Sequence, residues 1–289
     1  MRAEEASRQP PVEARPSPGA RTLAPPERRV APVTANEPLG AYGLITALDA
    51  GGPPDPRPGQ FYMLAAAEGW GGRGDERPYL PRAFSYARAR STADGVELSF
   101  LLEVIGPGTE CLAALEVGEE LALVGPLGIG FRPAAEGCRP LLVGGGIGAA
   151  PLLCLQDELL DVEVTPAALL GFRSAHFAEA AGLFRGPVEL ATDDGSAGRH
   201  ALVTELLREQ LEDVDGRASV FACGPPPMLE AVRLLCAAHH CPAQLALESG
   251  MACGFGACFG CVVPTKAGYV RLCLDGPVLD ADLLETALT

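Results

Sequence analysis

Four of the ten cysteines in this 289-residue chain crowd into one late stretch, SGMACGFGACFGCVVPTKAGYVRLCLDG. Cys253, Cys258 and Cys261 are spaced C-x4-C-x2-C, and Cys273 arrives alone with eleven residues between it and Cys261. Residues 247–289 show little apolar periodicity and many glycines, so this segment must take its shape from whatever the thiols hold. The spacing matches that of plant-type [2Fe-2S] ferredoxins. A two-iron centre needs a loop whose amides point inward, and Gly254, Gly256 and Gly260 supply a backbone free to reach positive φ and approach sulfur. The competing assignment is a four-cysteine zinc site, but zinc sites usually show two separated Cys pairs rather than three thiols on one glycine-laced loop. Clustered, unevenly distributed cysteines also argue for metal over disulfides.

The rest of the chain changes character once. From about residue 35 to 136, short apolar runs (GQFYMLAAA, RAFSYARA, GVELSFLLEVI, ELALVG) are separated by Gly- and Pro-containing turns, which predicts a small antiparallel barrel. GPGTECLAALEVG places Leu112 and Leu115 at helical spacing, predicting one short helix inside it. From 137 to 246, apolar strands alternate with helix-compatible stretches, predicting a doubly wound parallel sheet. The expected organisation is therefore a disordered tail over 1–34, the barrel, the α/β domain and a cluster module over 247–289. The tail reading rests on Pro, Arg, Ala and Glu with little apolar content.

Each unit carries a candidate ligand segment. In PRAFSYARAR, Arg82 could clamp a pyrophosphate and Ser85 reach a flavin ring, although three-residue spacing puts the two on opposite faces of a regular strand. In GPGT, Gly106, Gly108 and Thr109 present backbone donors at a helix start, and GPLGIGF, ending at Phe131, is a further glycine-rich segment for which a domain-joining turn is the commoner explanation. PLLVGGGIGAAPLL puts Gly144, Gly145, Gly146 and Gly148 between a buried strand and a helix, the setting of a dinucleotide turn. It is not a clean G-x-G-x-x-G, and the next strand ends in GFRS without an acidic residue, so Arg173 reads equally as a 2′-phosphate ligand or as a surface arginine. Cys223, ending SVFACG, either faces the ligand crevice or is a buried strand cysteine.

Several function classes are excluded. The net charge of −15 repels phosphate backbones, so no nucleic-acid partner is expected. The apolar run Leu141 to Leu155 is broken by four glycines and is too short for a bilayer, and the N-terminus lacks a signal core, so no membrane association and a cytoplasmic location are expected. The four histidines (His176, His200, His239, His240) have no paired carboxylates, so no catalytic residue is assigned and cofactors must carry the chemistry. Cys236, His239, His240 and Cys241 sit at a helix end and receive no role.

Taken together, RAFS, GPGT, GPLGIGF, GGGIGAAP, TDDGSAG, CGPPPM and MACGFGACFGC…CLDGPVLDA resemble the electron-transfer subunit of type B dihydroorotate dehydrogenase, within the ferredoxin-reductase superfamily. The resemblance spans roughly Leu39 to the end, and the cysteine loop is its most specific part. It implies that Arg82, Ala83, Phe84 and Ser85 hold FAD, that Leu101, Leu102 and Glu103 with Gly108 and Thr109 contact it further, and that Cys253, Cys258, Cys261 and Cys273 bind the cluster. It further implies an FMN-containing dihydroorotate dehydrogenase partner in a heterotetramer of two of each subunit, passing electrons through [2Fe-2S] and FAD to NAD for pyrimidine biosynthesis. Three positions depart from the family pattern: Ala83 stands where proline is usual, Glu103 where a basic residue is common, and His200 with Ala201 where glycine is expected. Alternatives are the reductase subunit of another ferredoxin:NAD(P) or hydrogenase-type complex, and a non-catalytic zinc-stabilised adaptor.

Overall fold

The computed structural model describes residues 27–53, 55–68, 70, 79–212 and 217–288. Seven strands build the first sheet: β1 (Arg28–Leu39), β2 (Tyr42–Asp49), β3 (Phe61–Ala66), β4 (Arg82–Ser85), β5 (Arg88–Thr92), β6 (Gly95–Glu103) and β7 (Glu120–Leu127). Their order is β4-β3-β7-β1-β2-β6-β5, with every neighbour antiparallel. The sheet curls around its own core of Ile45, Tyr62, Leu64, Phe100 and Leu102, and Leu112 of the short helix α1 (Pro107–Ala113) packs into that core.

The tail expected over 1–34 is corrected at its end. Arg28 to Pro32 already pair with β7, from Arg28 against Val124 to Pro32 against Glu120. The physical anchor is Asp49, buried at 1% exposure, which needs a cation. Arg29 supplies it with Nη2 2.7 Å from Oδ2, and also donates to the Gly125 carbonyl at 2.6 Å. Residues 1–26 of that expectation lie outside the described residues.

The second sheet runs through β8 (Arg139–Gly145), β9 (Ala167–Phe172), β10 (Val188–Thr192), β11 (Arg199–His200), β12 (Ala218–Cys223) and β13 (Ala243–Ala246), in the order β11-β10-β9-β8-β12-β13, all parallel. Side-chain alternation along β8 shows why both faces are covered. Leu141 and Val143 join one core with α4 (Val203–Glu212) and α5 (Pro226–Ala238), while Leu142 joins another with α2 (Ala149–Asp161) and α3 (Ala175–Ala178). The strand order reverses between β8 and β12, which opens a crevice at their carboxyl ends.

The C-terminal segment is not a separate lobe. After the cysteine loop come the hairpin β14 (Val262–Thr265) and β15 (Gly268–Arg271), the single turn α6 (Leu272–Asp275) and β16 (Val278–Asp280). β16 pairs antiparallel with β13 and so becomes the last strand of the dinucleotide-type sheet. Leu279, Leu284 and Ala287 enter the same core as Leu141 and Val220. GPLGIGF ties all three parts together: Ile129 bridges Pro277, the Phe131 N–H donates to the Pro58 carbonyl at 2.7 Å, and the Phe131 ring meets Phe221 edge-on at 5.7 Å.

Candidate functional site: two joined clefts beside a cysteine loop

Among the described residues β4 is the end strand of the barrel sheet, so its outer backbone edge borders the space beside it. This reconciles Arg82 with Ser85. The strand keeps regular register, Arg82 opposite Leu64 and Ser85 opposite Phe61, yet Arg82, Ala83, Phe84 and Ser85 all line one cleft of about 290 Å³. Facing them are Leu101 and Glu103 of β6, Thr109 of α1 and Cys223 at the end of β12. Leu102, between two lining residues, points into the barrel core as strand alternation requires, so the stretch 101–103 contributes two lining side chains rather than three.

Gly108 acts beneath the cleft. A Cβ there would lie 2.7 Å from Cζ and Nε of Arg82, so the missing side chain is what lets the guanidinium rest across the first turn of α1. The Thr109 hydroxyl is used inside the turn: it accepts from the Ile105 and Gly106 N–H groups at 2.9 and 3.2 Å and donates to the Gly106 carbonyl at 3.0 Å. Its side chain therefore shapes the loop. Among the described residues of the cleft wall, Ser249 Oγ is buried without a hydrogen bond, which costs about 1–3 kcal/mol unless a ligand atom satisfies it.

The crevice at the strand-order reversal forms a second cleft of about 710 Å³. Gly145, Gly146 and Gly148 line it. Gly144 does not; its hydrogen sits where a Cβ would come within 2.9 Å of Leu170, so it serves the packing of α2 on the sheet. Gly148 brings the start of α2 against the end of β12, since a Cβ there would be 2.4 Å from the Cys223 carbonyl oxygen. Arg173 also lines this cleft, with Nη2 2.5 Å from Glu103 Oε1 and its guanidinium 4.0 Å above the Phe177 ring. Glu103 is thus paired with a cation of the other domain. An acidic residue, Asp193 at the end of β10, lines the same wall.

The two clefts adjoin, because Glu103, Ile147, Gly148 and Glu248 border both. Loss of water around the Glu248 carboxyl pushes its pKa up, although the residue keeps exposed surface. Burial first, and the Glu248 charge second, push the Cys223 thiol well above its ordinary range, so it faces the flavin-type cleft as a neutral thiol.

The cysteine loop adjoins the same wall: Ser249 and Met251 line the smaller cleft, and Gly254, at φ +77°, lies where a Cβ would meet Met63 at 2.6 Å. Its four sulfurs gather as two pairs. Cys261 and Cys273 are buried with their Sγ atoms 3.1 Å apart; the Cys253 sulfur accepts from the Cys258 N–H at 3.4 Å. Among the described residues, no group of three or more His, Cys, Asp or Glu side chains converges on a single ion position. Zinc needs four ligands on one centre, whereas a two-iron cluster needs a pair of thiolates at each iron. Burial raises the Cys253 thiol, but the N–H groups of Cys258, Phe255 and Ala257 and the Cys258 thiol outweigh it and bring the pKa to about 6. Cys273 is pushed up to about 12, by burial and then by the Cys261 thiol.

The comparisons with known proteins agree with this geometry. The family profile described as the iron-sulfur cluster binding domain of dihydroorotate dehydrogenase B matches residues 248–285. The protein called dihydroorotate dehydrogenase B (NAD(+)), electron transfer subunit, from Bacillus velezensis is 38% identical over 232 residues, covering 78% of this chain and 86% of that one. Its namesake from Caldanaerobacter subterraneus is 36% identical over 231 residues, with the same coverage of 78% and 86%. This chain belongs to that family of electron-transfer subunits.

In fold, this family member is similar to an NADH-dependent reduced ferredoxin-NADP oxidoreductase structure, with a TM-score of 0.74 and 21% identity over 93% of this chain and 91% of that one. It is also similar to the ferredoxin reductase of carbazole 1,9a-dioxygenase, with a TM-score of 0.61 and 23% identity over 74% and 66%. Sequence reasoning about this electron-transfer subunit missed Ile147, Glu248, Ser249 and Met251, the residues that join the three parts of the site. A signal existed in their placement, immediately after two strand ends where ligands gather in such sheets. The apolar rim of the cysteine loop, Phe255, Phe259, Tyr269 and Leu274, also went unread; all four are exposed.

Proposed function

We propose that this chain is the NAD-facing electron-transfer subunit of a dihydroorotate dehydrogenase B, holding FAD along β4 and a [2Fe-2S] cluster in the cysteine loop. The observation that carries the reading is the shared wall: residues of the dinucleotide turn, of the flavin-type cleft and of the cluster segment border two adjoining clefts.

The residues fit the groups assigned to them. Arg82 provides a cation along the edge strand for a pyrophosphate, Ser85 and the unpaired Ser249 hydroxyl provide polar contacts, and Phe61, Leu101 and Pro277 provide apolar walls for a ring system. Cys253 with Cys258 would hold one iron and Cys261 with Cys273 the other. When bound, FAD supplies the conversion between one-electron and hydride chemistry. The chain's own task is to position it: Ile147 and Gly148 border both ligand spaces, so these two residues would lie between a nicotinamide held in the larger cleft and a flavin held in the smaller one. The Cys223 thiol, held neutral, adds no charge at that junction.

NAD is preferred over NADP because the one arginine at the end of β9 is already engaged by Glu103 and Phe177, while Asp193 and Glu248 add negative charge to the same wall. A second phosphate would meet that charge. The partner is an FMN-containing catalytic subunit, in an assembly of two of each, and it docks on the exposed apolar rim of the cysteine loop. Such a patch beside a charged surface is the composition of an interface core. No described helix is long and apolar enough to cross a membrane.

The decisive experiment is anaerobic purification followed by a visible spectrum, iron and sulfide analysis, flavin extraction and NADH-dependent dye reduction. Two irons, two sulfides and one FAD per chain are expected. A colourless protein with one zinc, or one without flavin, would refute the proposal.

A further inference from the structure

Far from the clefts, helix α5 ends in a way that places two thiols together. The Cys241 N–H donates to the Cys236 carbonyl at 2.9 Å, the His240 N–H donates to the Ala237 carbonyl at 3.3 Å, and His240 adopts positive φ, +52°. This is the Schellman ending, in which the residue two beyond the helix cap folds back onto the residue three before it. Those contacting positions, normally a hydrophobic pair, are here Cys236 and Cys241. The Cys241 Sγ lies 3.1 Å from the Ala218 carbonyl oxygen, which accepts its S–H when it is protonated. In this ending the two positions fold against each other, the approach that a disulfide, with Cα atoms about 4.4–6.8 Å apart, requires.

The two sulfurs are not equivalent. Cys236 is buried at 1% exposure, whereas Cys241 is half-buried; both border a cleft of about 490 Å³ between α5, the start of β13 and the end of β16. Arg233, His240 and Lys266 line that cleft together with Asp280 and Asp282. The neighbouring Cys236 thiol lowers the Cys241 pKa against the opposing effect of burial, while the Cys241 thiol and burial raise that of Cys236. One thiol is accessible and activated; the other is its buried neighbour. That asymmetry is what a peroxide-reactive pair requires.

We propose that Cys236 and Cys241 form a reversible thiol–disulfide site, oxidised by hydrogen peroxide and distinct from the cluster ligands. The Cys241 thiolate attacks one peroxide oxygen, the O–O bond breaks, and the released hydroxide takes up a proton as water. Cys241 is left as a sulfenic acid. The Cys236 sulfur then attacks the Cys241 sulfur, the S–S bond forms, and the sulfenic oxygen leaves as a second water with the Cys236 proton. Overall, two thiols are oxidised by two electrons and one peroxide is reduced to two waters. An external dithiol reverses the bridge. Closing it ties the end of α5 to the entrance of β13, the strand on which the C-terminal segment is paired.

The test uses the full holoprotein, reduced, treated with stoichiometric peroxide, alkylated with iodoacetamide and cleaved after glutamate. Cleavage at Glu230 and Glu248 isolates residues 231–248, which contain no other cysteine, so damage to the cluster cannot imitate the result. The expected outcome is a peptide lighter by two hydrogens with both alkyl groups missing, restored to the doubly alkylated form by dithiothreitol. In a Cys236→Ser chain, the Cys241 sulfenic acid should persist and be trapped by dimedone. Two alkylated thiols after peroxide, or a Cys236→Ser chain without a dimedone adduct at Cys241, would overturn the proposal.

Discussion

Substituting Gly148 by alanine tests the junction between the two clefts. The added methyl would sit 2.4 Å from the Cys223 carbonyl oxygen, 2.5 Å from its carbon and 2.6 Å from the Gly224 nitrogen, where ordinary contact begins at 3.4 Å. All three atoms are backbone in the most deeply sheeted part of the domain, so no side chain can swing aside. The start of α2 and the end of β12 must separate by about 1 Å, an overpacking strain of about 3 kcal/mol. For a protein of this size that lowers the thermal midpoint by roughly 6–12 °C. Gly146→Ala is the control within the same turn. Its Cβ would meet only the Tyr42 hydroxyl, at 3.7 Å, and its cost comes from φ +55° alone, about 1 kcal/mol. Thermal unfolding of the holoprotein by circular dichroism, with NADH-dependent dye reduction, should therefore separate the two. Gly148→Ala should melt well below Gly146→Ala and show a KM for NADH raised at least tenfold, since 1 Å of misplacement falls between the two ligand spaces. If the two variants melted together, or if Gly148→Ala kept its KM, the assigned role of that close approach would be wrong.

Three further outcomes are expected. Cys258→Ser, at an exposed ligand position, should lose iron in metal analysis while retaining extractable flavin, because the β4 cleft does not depend on that sulfur; loss of both together would contradict the separation of sites. Glu103→Gln should release Arg173 and raise the NADPH-to-NADH ratio of kcat/KM roughly fivefold, the scale of one partly exposed ion pair; an unchanged ratio would remove that pair from nucleotide selection. Glu230 accepts from Arg233 at 2.6 Å and from the Ala287 N–H at 2.6 Å, and its carboxyl is held at about 2 by these donors, Arg233 foremost. With the folded-state value below the free value of 4.5, its stabilisation is complete at neutral pH, declines as pH falls below 4.5 and is gone near 2. Glu230→Gln should thus cost about 1–2 kcal/mol in urea unfolding at pH 7 and almost nothing at pH 2; an equal cost at both would refute the linkage.

Much of the architecture was legible in the chain because it depends on local periodicity. The change from short alternating strands to strand–helix repeats near Cys138 reports burial on one face or on two, and that is a property of neighbours in sequence. The cysteine spacing was legible for a similar reason, since a cluster must be wrapped by a contiguous loop. What was not legible depends on distant partners. Arg28 to Pro32 have the composition of a solvated tail and become a strand only because Asp49 and the β7 edge are waiting. Arg82 and Ser85 seemed to face opposite ways, and their convergence follows from β4 lying at a sheet edge, which no local pattern records. Glu103 looked misplaced beside a pyrophosphate until its partner, seventy residues away in sequence, was visible.

The antiparallel pairing of β16 with β13 bears on how such a chain is made. A ribosome releases β13 long before β16, and in the interval the strand presents an unpaired row of amides and carbonyls that invites association with other chains. The intervening residues are the cysteine loop itself, so delivery of iron and sulfide and the sealing of that edge draw on the same short piece of polypeptide. A nascent chain starved of metal would then be prone to aggregate from its nucleotide domain, even though no ligand of the cluster lies there.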